Sequence, residues 1–152
     1  RGVLLRRSIR SPGRGGALYI VMNGYLMCRV FYAVAHHFHL NGGGLSSTRI
    51  AHQLKIEEGD IKPCLSRLQE QGYLLLVQEN DGMEAVPGRP LEQITVADLY
   101  ALAEEANYSP GDLAYTDHEL LEQRVQQSEA DRLSQLKITF AQLLAESSER
   151  SL

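Results

Sequence analysis

Leu45–Leu76, LSSTRIAHQLKIEEGDIKPCLSRLQEQGYLLL, is the stretch whose spacing decides the fold. Ser46 and Ser47 offer capping hydroxyls ahead of a first helix with Ile50, Ala51 and Leu54 on one face. A turn centres on Ile56 to Gly59. A second helix then carries Ile61, Leu65 and Leu68 at spacings of four and three, a helical rather than a strand period. Pro63 is expected in its first turn, where a missing backbone N–H costs little. Gly72 follows the last periodic residue, as a left-handed helix terminator does. Two short helices joined by a tight turn make a helix-turn-helix.

Beyond Gly72, YLLLVQE reads as a short apolar strand, and Asn80-Asp81-Gly82 as a hairpin turn. Met83 to Val86 is the returning strand, which Pro87-Gly88-Arg89-Pro90 interrupts. Thr95 caps a further helix, TVADLYALAEEAN, with Val96, Leu99, Tyr100 and Leu102 facing inward. After a loop over 107–116, residues 117–146 predict one long helix capped by Thr116 or Asp117. Its apolar stripe runs through Leu120, Leu121, Val125, Leu133, Leu136, Phe140, Leu143 and Leu144. The stripe thins over Gln126–Asp131, where a bend or exposure is expected.

Upstream, residues 17–40 are the most apolar stretch. Its longest charge-free run, Ala17 to Cys28, already contains Asn23 and Gly24 and ends at Arg29, short of the roughly 20 residues that cross a bilayer. We read it as the first helix, buried between other elements or at a dimer interface. Residues 1–16, rich in Arg, Gly and Ser-Pro, read as a basic linker. The fold class is therefore mainly α with a small two-stranded β wing: a winged helix-turn-helix over 17–106, then a loop and long C-terminal helix over 107–152, for packing or dimerisation.

Charge is unevenly placed. Residues 1–44 hold six arginines and no acid, residues 45–106 five basic against eleven acidic residues, and residues 107–152 four against eight. Cys28 and Cys64 show no CxxC spacing, which suits a reduced intracellular protein. His36, His37 and His39 lack a partner cluster at ligand spacing, so neither a metal nor a cofactor is expected. There is no nucleophile elbow, HExxH, P-loop or dinucleotide fingerprint, and no catalytic residue or enzymatic activity is predicted.

Two resemblances share this layout. Tyr32-Ala33-Val34, Arg49-Ile50-Ala51, Leu65 with Leu68, Gly72-Tyr73-Leu74 and Ile94-Thr95-Val96-Ala97-Asp98-Leu99 resemble the IscR/NsrR-type repressors. That resemblance implies a dimer whose second helix reads DNA and whose long last helix dimerises. The family's iron–sulfur cluster requires cysteines beyond Cys64, and this sequence has none there. The Pro-Gly-Arg-Pro-Leu return and the Ile-Thr-Val-Ala-Asp helix start also resemble the C-terminal domain of YihY/BrkB-like (ribonuclease BN-like) inner-membrane proteins, over roughly 17–145. The chain opens on Arg1 rather than Met. This second resemblance implies a larger membrane protein, with the basic arm of Arg6, Arg7, Arg10 and Arg14 near an anionic lipid surface.

DNA binding demands basic groups near the inserted helix. Ser47, Thr48, Arg49, Lys62 and Arg67 are the candidates, but Glu57, Glu58, Asp60 and Glu70 stand among them, and Asp81 and Glu84 lie on the wing. Such a face repels phosphates. The expected function is thus a non-catalytic winged-helix domain on the cytoplasmic side of a bacterial inner membrane. It would assemble or regulate the membrane portion of the same longer chain through protein contacts, as a homodimer. The alternative is a dimeric, cytoplasmic DNA-binding transcriptional regulator without an iron–sulfur cluster.

Overall fold

A computed structural model describes residues 23–79, 82–106 and 119–151. The order is α1 (Gly24–Asn41), β1 (Leu45–Ser46), α2 (Ser47–Leu54), α3 (Glu58–Glu70), β2 (Leu74–Glu79), β3 (Gly82–Pro87), a 3₁₀ turn (Leu91–Gln93), α4 (Val96–Ala106), α5 (Glu119–Ser134) and α6 (Phe140–Ser151). The basic arm and residues 17–22 of the expected first helix lie outside the described residues. So do the hairpin residues Asn80 and Asp81, the 107–116 loop and the Thr116 or Asp117 cap.

The helix α1 is the central post. Asn23 caps it, its side-chain oxygen accepting from the Leu26 N–H at 2.7 Å. It packs against α2, α3, α4, α6, β1 and β3. Met27, Val30, Phe31, Val34 and Ala35 are fully enclosed as a result. That explains why its apolar residues are spread round the helix instead of forming a stripe: several elements cover it at once.

The helix-turn-helix forms as its spacing predicts. Ser46 caps α2, accepting from the Arg49 N–H at 3.2 Å. Lys55 ends that helix at φ 60, a left-handed conformation that is costly for a residue with a Cβ. Gly72 terminates α3 at φ +82, with the Tyr73 N–H bonded to the Leu68 carbonyl and the Gly72 N–H to that of Gln69, both at 2.9 Å. One position shifts. Because α3 begins at Glu58, Pro63 lies inside the helix rather than in its first turn, and it sits on the exposed side.

The wing gains a strand. β2 and β3 pair antiparallel from Leu74↔Pro87 to Glu79↔Gly82, and β1 adds to the other edge of β3 through Leu45↔Ala85 and Ser46↔Glu84. The sheet therefore has three strands in the order β1-β3-β2. A two-residue strand gives no period to read, which is why the sequence predicts only the hairpin. At the wing's base the backbones nearly touch: a Cβ on Gly88 would stand 2.6 Å from the Gly72 carbonyl oxygen. Arg89 closes the joint, donating to the Gln71 carbonyl and lying over the Tyr73 ring, 4.3 Å from its centroid.

The expected single helix over 117–146 is two, broken at residues 135–139; the stretch over 126–131 stays helical and is mostly exposed, as its thin apolar stripe suggests. Thr139 starts α6 with a reciprocal box: its hydroxyl accepts from the Gln142 N–H at 3.0 Å, and the Gln142 side-chain oxygen accepts from the Thr139 N–H at 2.8 Å. Thr95 and Asp98 make the same box at the head of α4. The two starts lie side by side, bridged Thr95↔Thr139, with the Phe140 N–H on the Ile94 carbonyl at 2.9 Å. This turn delivers Phe140 into the core edge-on to Phe31, ring centroids 4.8 Å apart.

Candidate nucleic-acid interface

The candidates Ser47, Thr48 and Lys62 line one concavity, where the start of α2 meets α3, and Arg49 follows them in the first turn of α2. Ser47 and Thr48 occupy the first turn of α2, with the Arg49 side chain exposed beside them. Lys62 stands on the outer strip of α3, 67% exposed. A concavity of about 430 Å³ runs between these helices and the wing, lined by Ser47, Thr48, Glu58, Lys62, Ser66 and Met83 among others.

Arg67 does not join them. Its side chain is only 24% exposed and is engaged with Glu70 at 3.6 Å, off the strip that carries Lys62. Ser66 and Gln69 take its place: both are exposed, and with Lys62 they follow spacings of four and three along α3. Neither carries a charge, so a search for basic groups alone does not point to them. Helical spacing from Lys62 would have found them.

Counting acids along α3 overstates the negative charge of its outer face. Asp60 is 6% exposed, turned into the domain near the head of the helix. Glu70, 64% exposed at the far end of the helix, pairs with Arg67. Glu58 is drawn sideways onto Ser47, whose hydroxyl donates to it through a very short hydrogen bond, and stands 3.8 Å from the Lys62 ammonium. The Ser47 bond holds the Glu58 carboxyl below the usual range against partial desolvation, with the Thr48 hydroxyl and Lys62 adding to the effect. On the wing, Glu84 is half-buried where β3 passes Gly44. The exposed acid left near the turn is Glu57.

Elsewhere the chemistry is sparse. Among the described residues no group of three or more His, Cys, Asp and Glu gathers as a metal site. His37 meets the Asn41 side chain at 3.1 Å and His36 stacks on Tyr32. Cys28 and Cys64 are buried free thiols, both pushed up to about 12 by burial, with the Asp60 charge adding at Cys64. Such thiols are poor nucleophiles. α5 is different in kind: Leu121 and Val125 on it are 66% and 44% exposed, one turn apart, and Leu120 is exposed beside them.

No protein-family model matches the sequence, and no curated protein matches it either. Solved structures do. T. potens IscR superposes with a TM-score of 0.65 at 19% identity, covering 91% of this chain and 94% of that one. CymR, the global cysteine regulator of B. subtilis, gives 0.59 at 20% identity, over 85% of this chain and 98% of that one. Oxidised CymR of Staphylococcus aureus gives 0.60 at 17%, over 80% and 91%. Nothing in these comparisons links the chain to YihY/BrkB-like membrane proteins, so that resemblance and the membrane function drawn from it stand without support. No helix among the described residues is long and apolar enough to cross a membrane. At these identities the likeness establishes the architecture, and the chain has the winged-helix fold of the IscR- and CymR-type transcriptional regulators.

Proposed function

We propose that this protein is a DNA-binding transcriptional regulator that acts as a homodimer, with no enzymatic activity. The observation that carries the reading is the sorting of charge on α3. Asp60 is buried and Glu58 and Glu70 are engaged, so Lys62, Ser66 and Gln69 form the outer strip, beside Arg49 and the hydroxyls of Ser47 and Thr48. That is a suitable mixture: Arg49, Lys62 and the hydroxyls for phosphate oxygens, Ser66 and Gln69 for base edges in a major groove that admits one helix. The wing would lie against the flanking backbone. With an overall charge of −4, affinity would be modest and salt-sensitive.

The exposed Leu120, Leu121 and Val125 of α5 supply the dimer contact, because an apolar stripe on a helix that packs only lightly on its own domain calls for a partner. Two copies would present two α3 helices to half-sites about one helical turn of DNA apart. The domain division stays part of this proposal: a basic arm over 1–16, the DNA-reading unit over 17–106, and the dimerising segment over 107–152. The arginines Arg6, Arg7, Arg10 and Arg14 would add sequence-independent affinity.

Fluorescence anisotropy with genomic duplexes, run over a salt series, tests the reading. Binding at low salt that weakens as salt rises is expected. Arg49→Ala should reduce the slope of log K against log salt by about 0.9, the loss of one phosphate contact. No binding to any duplex at low salt would refute it.

A further inference from the structure

Three of the groups assigned to DNA contact, Ser47, Thr48 and Lys62, converge on one side chain of the same molecule. A single Glu58 carboxylate oxygen accepts from the Ser47 hydroxyl and stands 3.8 Å from the Lys62 ammonium, and Thr48 lines the same concavity, its hydroxyl helping to hold the carboxyl below the usual range. A hydroxyl donor and a cation on one anionic oxygen, with a second hydroxyl beside the same carboxylate, is the kind of setting a DNA phosphate takes. The carboxylate lines the concavity between α2, α3 and the wing, on the face that the duplex would approach.

We propose that Glu58 is an intramolecular stand-in for a DNA phosphate, occupying the position formed by Ser47, Thr48 and Lys62 until a duplex displaces it. This rests on the DNA-binding reading. Glu58 then acts as a positioning residue with two effects. It holds the three donors in place in the free protein, and it sets a threshold against weak, non-specific contacts, because each phosphate that docks there must first turn out a like charge. A correct site, engaging Ser66 and Gln69 as well, would overcome that threshold more readily than a random one. The gate therefore sharpens discrimination at some cost in affinity.

The test is Glu58→Gln, which keeps an oxygen able to accept from Ser47 while removing the charge. Affinity for a fluorescein-labelled duplex of mixed sequence is followed by anisotropy over a salt series. The expected result is tighter non-specific binding, by about eightfold at 0.1 M salt, and a slope steeper by about 0.9, since Lys62 becomes free to neutralise one more phosphate. Adding Lys62→Met to Glu58→Gln should abolish the gain, which a merely structural tie between α2 and α3 would not predict. Circular dichroism melts check the fold, and Glu58→Ala serves in place of Glu58→Gln should that variant not fold. A wild-type protein that binds while its folded Glu58 variants bind no more tightly overturns the inference and leaves the DNA-binding reading standing. Variants that bind where the wild type does not support both. Absence of binding by every form at low salt refutes the DNA-binding reading, and this inference with it.

Discussion

Phe140→Ala tests the least expected part of the architecture, the return of the chain onto the core after α5. The Phe140 ring is 1% exposed and meets Phe31 edge-to-face at 4.8 Å and 70°. Removing a buried Phe costs about 3–5 kcal/mol, of which the ring–ring geometry supplies about 0.5–1.5. Domains of this kind are stable by only about 5–15 kcal/mol, so the loss is a large fraction of the whole. At about 2–4 °C per kcal/mol for a chain of this length, the melting temperature should drop by about 6–20 °C. Thermal and urea melts followed by far-UV circular dichroism at one fixed protein concentration measure it, the concentration being held because dimerisation shifts apparent stability. Gln142→Ala should lose less, since it removes one side of the cap and leaves the ring packed. A Phe140→Ala change below about 1 kcal/mol is what a surface residue would show, and it would refute the docking of α6 on α1.

Leu121→Asp with Val125→Asp should convert a dimer into a monomer in multi-angle light scattering while leaving the far-UV spectrum intact; an unchanged mass would remove α5 from the interface. Gly88→Ala should cost about 1–3 kcal/mol in urea melts, because the added methyl meets a backbone oxygen, at Gly72, that cannot swing aside. Cys28 and Cys64 should resist iodoacetamide at about pH 8 in the native protein and react on unfolding. Their folded pKa values, raised from 9.0 to about 12, give a definite sign: the stability they contribute is full below about pH 9 and is lost as pH rises towards 12. The urea midpoint should fall over that range, and less steeply in Cys64→Ala.

The helix-turn-helix was legible because its determinants are local. The hydroxyl cap of Ser46, the spacing of Ile61, Leu65 and Leu68, and the terminator Gly72 each act within a turn or so of chain. The break between α5 and α6 also has a local sign, which the reading of one long helix passed over. Thr139-Phe-Ala-Gln142 is a capping-box sequence, and the continuous apolar stripe running through it masked that start. The third strand could not be read at all. Two residues, Leu45 and Ser46, become a strand only because β3 is there to pair with them.

The candidate interface divides the same way. Ser47, Thr48, Arg49 and Lys62 came from the sequence as residue types at plausible positions, and the tertiary structure sorts them by what they touch: Arg67 and Glu70 face each other, Asp60 turns inward and Glu58 is held by Ser47. Sequence alone determined the helix-turn-helix and the hairpin that follows it, because capping, periodicity and chain termination are short-range properties of neighbouring residues. Which charges face outward it could not determine. A carboxylate counts against DNA only where it is exposed on the docking face, and exposure is a property of packing between α2, α3 and the wing, which exists only in the folded chain.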